Sequence, residues 1–249
     1  MDWRFNNKIT NDYDFDHIDI VVTHDCNMNC KHCIDKFRKT SDKIVRLTDI
    51  ERFLKLIRKH TDKPLEVLLL GGDPTAIGAY NLNKIASLCH AYNFDCIMST
   101  NGLLKGTILD CLPYFDSIQI TVHNDAEIDY WRQYKDKINM KLAGDENLTW
   151  EKLQHFMSYT EDFSRCSVSM YFNPEFEELC KDDKVWEFLN TLDWKRNGSY
   201  MYAFYNGVRF KKSIHGETNI IDEPTVPKLY PNGNYNKTWD NESMDDYIH

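Results

Sequence analysis

The apolar and polar positions change period along the chain, and the changes come in a regular order. Asp16 to Thr23 first alternates and then turns solidly β-branched, the pattern of a strand entering a core. Thr48-Asp49-Ile50-Glu51 reads as a capping box, followed by Ile50, Phe53, Leu54 and Ile57 at helical spacing, and Lys63-Pro64 ends that helix. Leu65 to Leu70 is a continuous apolar run, predicted to be a strand buried on both faces. Leu82, Ile85, Ala86 and Cys89 mark one face of the next helix. Further strands are predicted at Cys96-Ile97-Met98, Ser117–Val122, Ile138–Ala143 and Ser167–Phe172. Between them lie a short helical patch stopping at Pro113 and a helix capped by Thr149 with Leu153, Phe156 and Met157 inward. A helix over residues 175–192 follows the last strand.

Strand then helix, six times, predicts an α/β fold with a parallel sheet, outer helices and right-handed crossovers. Six units fall short of a full eightfold barrel, so the expected architecture is a partial (β/α)6 TIM-like barrel with a short C-terminal extension. The polar and Gly-containing stretches follow the strands, where such folds place their ligands. From Trp194 onward Tyr, Asn and Pro are frequent and Cys is absent, and Tyr230-Pro231-Asn232-Gly233-Asn234-Tyr235 reads as a hairpin turn. Residues 1–192 are therefore assigned to the barrel. Residues 193–249 are assigned to an extension packed over its opening rather than an independent domain, with 240–246 frayed or loosely docked.

Composition narrows the function classes. Of 249 residues 42% are hydrophobic and 28% charged, as in a soluble globular protein, and the net charge of −9 argues against broad nucleic-acid binding. The start shows no basic region followed by an apolar one, and no apolar run approaches a membrane span. A cytoplasmic, reducing setting is expected, with no membrane partner. Cys89, Cys96, Cys111, Cys166 and Cys180 show no paired metal spacing and read as small buried hydrophobes.

The other three cysteines do not. Cys26, Cys30 and Cys33 lie within eight residues, and no fourth cysteine occurs before Cys89. Thiolate is a soft ligand, and a closed zinc site or an ordinary iron–sulfur cluster takes four ligands. Three on one short loop leave a metal position open, and an open position is where chemistry takes place.

CxxxCxxC after the first strand is followed by Gly71-Gly72-Asp73-Pro74-Thr75 after the second, Ser99-Thr100-Asn101-Gly102 after the third and Ser117–Asn124 on the fourth. Together these motifs resemble the radical S-adenosylmethionine (SAM) superfamily over about residues 17–190. The resemblance implies a [4Fe–4S] cluster on Cys26, Cys30 and Cys33 whose open iron is chelated by SAM. One electron, from a donor such as flavodoxin or ferredoxin, would cleave SAM to methionine and a 5′-deoxyadenosyl radical that abstracts hydrogen from the substrate. It also implies SAM contacts at Gly71, Gly72, Asp73, Pro74 and Thr75, the glycines letting backbone approach a ligand and Asp73 accepting from the methionine ammonium. The family usually has Glu at that position, and Asp is one methylene shorter.

Asn101 either fixes a loop or contacts SAM. Gln119, Thr121 and His123 share a face of their strand. Thr121 stands where relatives carry a SAM-binding Ser, and His123 where they carry Asp, with ribose, substrate and core as its open roles. Lys141 is a SAM-carboxylate partner or a surface lysine. His24 reads as a solvated or hydrogen-bonded loop histidine, and His32 stands at a position usually aromatic in the family. Lys31, Lys36, Arg38, Lys39, Lys43 and Arg46 make the cysteine loop basic, either as a solvated face or as a patch attracting a phosphorylated substrate.

The expected substrate is a small molecule, a nucleoside or nucleotide, with queuosine lyase as the single named candidate. That candidate rests on chain size and on the lack of cysteines after Cys180. Tyr202, Phe204, Tyr205, Tyr235 and Trp239 could then stack on a base. The alternatives are a radical SAM maturase acting on a peptide or protein, and a non-catalytic metal-binding protein. No catalytic residue is assigned.

Overall fold

The computed structural model of the chain describes residues 17–31, 33, 44–163, 165–171, 178–197, 200–213, 227–233 and 235–236. Expectations for His32, for Lys36, Arg38, Lys39 and Lys43, and for Trp239 and 240–246 lie outside the described residues.

Strands and helices alternate in the predicted order. β1 (His17–Thr23), α1 (Leu47–His60), β2 (Glu66–Gly71), α2 (Ala79–Ala91), β3 (Asp95–Thr100) and α3 (Lys105–Cys111) come first. β4 (Ser117–Val122), α4 (Asp125–Arg132), β5 (Ile138–Gly144), α5 (Trp150–Ser158), β6 (Cys166–Met170) and α6 (Asp183–Leu189) complete six βα steps. β7 (Lys195–Asn197), β8 (Tyr200–Tyr205), β9 (Val208–Ser213), β10 (Lys228–Leu229) and β11 (Tyr235–Asn236) follow. The chain forms two compact units, Met1–Asn29 with Asp35–Ile118 and Pro224–His249, and Cys30–Ile34 with Gln119–Glu223.

In the first unit β10, β1, β2 and β3 are parallel neighbours, and β11 pairs antiparallel with β10. Ile18, Ile20 and Val22 of β1 are fully buried, as are Ile50, Phe53, Leu54 and Ile57 of α1. Each such side chain contributes about 1.5–3 kcal/mol relative to an exposed one. Leu82, Ile85, Ala86 and Cys89 of α2 form the predicted buried face.

Two expectations for this unit are corrected. β2 is not buried on both faces: Val67 and Leu69 are buried while Leu68 and Leu70 are half-buried, so helices cover one side only. The Thr48 box is not the start of α1. Arg46 occupies the cap position without a side-chain cap bond, and its guanidinium grips buried Asp49 across the first turn (Nε–Oδ2 2.7 Å, Nη2–Oδ1 3.2 Å).

The predicted turn before β11 is present. Gly233 has φ +82° and donates to the Tyr230 carbonyl, and a Cβ there would meet Asp49 Oδ2 at 2.9 Å. Beside it, buried Lys228 pairs with buried Asp19 of β1.

Arg58 closes the last turn of α1. It donates to the carbonyls of Tyr92 (2.9 Å), Asn93 (2.6 Å) and Lys63 (2.7 Å) and lies 3.8 Å over the Phe94 ring. Arg58→Met should cost about 2 kcal/mol, because charge-assisted bonds to three carbonyls and the contact over Phe94 are lost together at a partly exposed site. Thermal melts should show Tm about 4–8 °C lower. A single ammonium cannot span three carbonyls, so Arg58→Lys should recover little of this; full recovery would mean that charge alone matters.

In the second unit β5, β6 and β9 run parallel, and β8 and β7 continue antiparallel beyond β9. Phe188 of α6 packs on one face of these strands, 5.7 Å from Phe210 and 5.2 Å from Tyr205, with Trp150 of α5 at 5.4 Å. α6 is shorter than the predicted helix over 175–192. Asp182 caps it by accepting from the Lys184 and Val185 amides, and those bonds end the extended approach to residue 183.

The described parts of the segment after Trp194 do not simply lie across a barrel opening. They enter the sheets themselves, β9 beside β6 in the second unit and β10 beside β1 in the first.

Candidate functional site

The first unit gathers the ends of β1, β2 and β3. The Gly72 amide donates to the Thr23 carbonyl (2.9 Å) and the Asp73 amide to that of Asp25 (2.8 Å). Gly71 has φ +139°, and a Cβ on it would sit 2.1 Å from the Thr23 oxygen; one on Gly72 would sit 2.2 Å from that of Asp25. The glycine pair, expected to make room for a ligand, makes room for the chain's own backbone, and so fixes where the loop carrying Cys26 leaves β1. His24 is fully buried rather than solvated.

Asp73 is 2% exposed. Its Oδ1 accepts from the Thr75 amide (2.9 Å), the Thr75 hydroxyl (2.5 Å) and the Thr100 hydroxyl (3.0 Å). Its Oδ2 accepts from the Thr100 hydroxyl (3.0 Å) and the Asn101 amide (2.8 Å). An ionised carboxylate offers about four lone-pair sites. Protein donors fill them, so the ammonium contact expected of Asp73 has no acceptor left in this arrangement. The side chain instead ties the β2 turn, with buried Pro74 and Thr75, to the end of β3. Thr100, which sequence reasoning did not single out, is the hinge of that tie; its place in the Ser-Thr-Asn-Gly run was the available signal.

Held by Asp73 through its amide, Asn101 reaches the cysteine loop. Its Nδ2 donates to Asn27 Oδ1 (2.7 Å) and lies 3.9 Å from Cys26 Sγ, while its Oδ1 accepts from the Leu103 amide (3.0 Å). The Met28 amide also points at Cys26 Sγ (3.4 Å). Of the two readings for Asn101, loop fixing is what the geometry displays.

In the second unit the Cys33 amide turns back to the Cys30 carbonyl (3.3 Å), and Lys31 pairs with Glu146 beyond β5 (3.0 Å). On β4, Ile118, Ile120 and Val122 are buried, while Gln119 and Thr121, with His123 just beyond the strand, are half-buried, so the polar row keeps to its own face. The His123 backbone amide donates to Glu127 Oε2 (2.7 Å), yet its buried Nε2 meets no hydrogen-bond partner among the described residues. A buried imidazole nitrogen left so is costly unless something else satisfies it, which suits a ligand contact better than a core role. Lys141 is half-buried on β5 with its ammonium 5.2 Å from the Tyr171 ring centroid, not a solvated surface lysine.

The donor set suits a cluster. Cys26, Cys30 and Cys33 are half-exposed thiols, whereas the other five are buried. Among the described residues no three His, Cys, Asp or Glu side chains converge as a single ion requires. A four-iron cluster spreads its thiolates more widely than one ion does, and amide donors of the Met28 kind tune it.

Burial pushes the Cys111 thiol up to about 12 and that of Cys166 to about 11, and also raises Cys96 and Cys180. All five of the other thiols, Cys89 included, are also closed off from solvent, so alkylation of native, metal-free protein near pH 8 should mark Cys26, Cys30 and Cys33 alone. Mass spectrometry of the digest reads this directly, and marking of Cys111 or Cys166 before unfolding would contradict it.

A sequence profile of the radical SAM superfamily matches residues 20–159, more than half of the chain. The chain belongs to the radical SAM superfamily. Members of this family use a [4Fe–4S] cluster and SAM, so these are the cofactors of the family this chain has joined. Among curated proteins, the GTP 3',8-cyclase of Helicobacter pylori (strain ATCC 700392 / 26695) is 20% identical over 210 residues, covering 82% of this chain and 59% of that protein. Among solved structures, native anSMEcpe with bound AdoMet and Cp18Cys peptide aligns with TM-score 0.51 at 17% identity, over 64% of this chain and 51% of that one. The same protein with Kp18Cys peptide gives 0.50 at 17% identity, over 61% and 50%. This likeness shows the fold, the partial TIM-like barrel of radical SAM proteins. This radical SAM chain thus spans 59% of the curated relative and about half of the two solved chains.

Proposed function

We propose that this chain is a radical SAM enzyme acting on a small molecule, with Cys26, Cys30 and Cys33 holding the cluster. When bound, the cluster and SAM supply a 5′-deoxyadenosyl radical for hydrogen abstraction. The chain's own work is to aim and shelter. The observation that carries this reading is the tie running from Asp73 through Thr100 and Asn101 to Asn27 and Cys26, which fixes the loop's first thiol against the ends of β2 and β3.

SAM is assigned to the backbone of the Gly71–Thr75 turn and to Thr121 and His123. The buried His123 Nε2, which meets no partner among the described residues, supports the last of these. Anaerobic reconstitution should give about four irons per chain and, with reductant, 5′-deoxyadenosine. Zinc at full occupancy with no SAM cleavage would instead favour a non-catalytic metal-binding protein.

The finer reading is a nucleoside or nucleotide substrate. The nucleotide-cyclising relative supports it. Queuosine lyase is one instance, and no observed feature singles it out from others. A peptide substrate is the second reading, favoured by the peptides held in the two solved structures. Turnover of a nucleotide but not of cysteine-containing peptides would decide between them.

Among the described residues no helix is long and apolar enough to cross a membrane. A cytoplasmic setting with a flavodoxin- or ferredoxin-type donor, and an extension over 193–249, complete the proposal.

A further inference from the structure

One face of the second unit's sheet carries α5 and α6, and the opposite face carries a row of cations. Register places Lys141 of β5 beside Ser167 of β6 and Ser167 beside Arg209 of β9, while Ser169 stands beside Lys211. These residues alternate with Leu142, Val168 and Phe210, the side chains turned toward Phe188 of α6 or buried with it, so the cations lie on the far side. On β8, Tyr202 pairs with Lys211 and has its ring 5.9 Å from the Arg209 guanidinium and 6.0 Å from the Lys211 ammonium.

Ser167 and Ser169 are buried, Lys141 and Lys211 half-buried, and Arg209 exposed. Neighbouring strands are about 4.8 Å apart, so Lys141 and Arg209 bracket a span of about 10 Å. Among the described residues, the carboxylate in line with them on β5 is Asp145, which lies past the strand's end and accepts from the Asn147 amide (2.9 Å). Among the described residues, Lys141 and Arg209 put positive charge on one face of a chain of net charge −9.

We infer that this face binds the anionic part of the substrate, a compact multivalent oxyanion such as a phosphate ester or a polycarboxylate. Arg209 suits the bidentate contact, Lys141 supplies compact charge, and the Ser167 hydroxyl between them can donate to a remaining oxygen. The face rests on the proposed small-molecule reading and narrows it to anionic substrates. A cationic side chain at each end and donors between also define an orientation, with the anion on β5, β6 and β9 and the rest of the substrate beyond it.

The test is binding of inorganic pyrophosphate and of tricarballylate to the full chain, by calorimetry at low and moderate salt. Arg209→Gln and Lys141→Gln are compared with Lys212→Gln, which removes the same charge on the opposite face of β9, where Lys212 lies 4.4 Å over Trp194. Arg209→Gln should weaken binding about tenfold, the worth of a lost charge-assisted bond, and Lys212→Gln less than about twofold. Thermal melts confirm that each variant is folded, and Lys141→Gln serves where Arg209→Gln is not. Preference for pyrophosphate assigns a phosphate, preference for tricarballylate a carboxylate, and either supports the site. Binding of neither probe, or equal losses in Arg209→Gln and Lys212→Gln, overturns it. SAM cleavage by the wild-type enzyme without substrate is measured separately. Its absence alongside selective anion binding would sink the radical-enzyme reading and leave the anion site standing.

Discussion

Cys30→Ala is expected to abolish formation of 5′-deoxyadenosine and to leave the reconstituted chain with little iron. Loss of an outer partner of a metal ligand typically costs about 10–100-fold in affinity or activity, and loss of one of three thiolates should exceed this. The fold should survive. Cys30 lies on a half-exposed turn outside every strand and helix, its backbone held by the bond from the Cys33 amide, which alanine keeps. The melt of the metal-free variant should thus stay within about 1–2 °C of wild type, since a half-exposed substitution away from packed features changes stability by about 0.5 kcal/mol or less. Retained SAM cleavage would remove Cys30 from the ligand set. A collapsed melt would mean that the thiol is structural. Cys180→Ala, which empties a buried site of a small hydrophobe, should do the reverse: lower Tm with SAM cleavage per folded chain unchanged.

Periodicity located β1 to β6 and the buried faces of α1 and α2, because those elements bury one stripe and the stripe is written in the residue types. It failed where a local signal has two physical uses. Thr48 and Glu51 have capping-box spacing, but Arg46 and Asp49 already close that turn, and Glu51 is engaged with Lys55 and Tyr92 instead. Leu65 to Leu70 looks doubly buried because apolar residues also line a half-open face. The strands β8 and β9 alternate, with Tyr202, Arg209 and Lys211 on one face and Ala203, Val208 and Phe210 on the other, a pattern that composition alone made look irregular.

The site was legible in the same partial way. Motif order placed Cys26, Gly72, Asp73 and Asn101 at successive strand ends, where the structure joins them. What spacing could not convey is which atoms are used internally. The glycines face backbone and the Asp73 carboxylate faces hydroxyls and amides, because those partners arrive from 27 or more residues away in the case of Thr100 and Asn101.

That internal use makes Asp73→Asn the second large-effect substitution. An amide presents donors on one side, so whichever way it is turned, either the Asn101 amide or the Thr75 amide faces an N–H instead of an oxygen. A buried donor left without its acceptor costs about 1–3 kcal/mol, and the loss of charge assistance adds to it. About 3 kcal/mol in a chain of this size corresponds to a Tm about 6–12 °C lower. SAM affinity should fall as well, through release of Asn101 from Asn27 and Cys26 rather than through a missing contact to the ammonium. The two causes separate cleanly in protein carrying neither metal nor SAM. A tie between strand ends predicts that the melt is already depressed there, whereas a carboxylate reserved for SAM predicts an unchanged melt and a deficit that emerges only on adding SAM. Thr100→Val, which removes the hydroxyl that touches both Asp73 oxygens and keeps the shape, should move the metal-free melt in the same direction by a smaller amount. An unaffected melt in both variants would return Asp73 to the role of a direct SAM ligand.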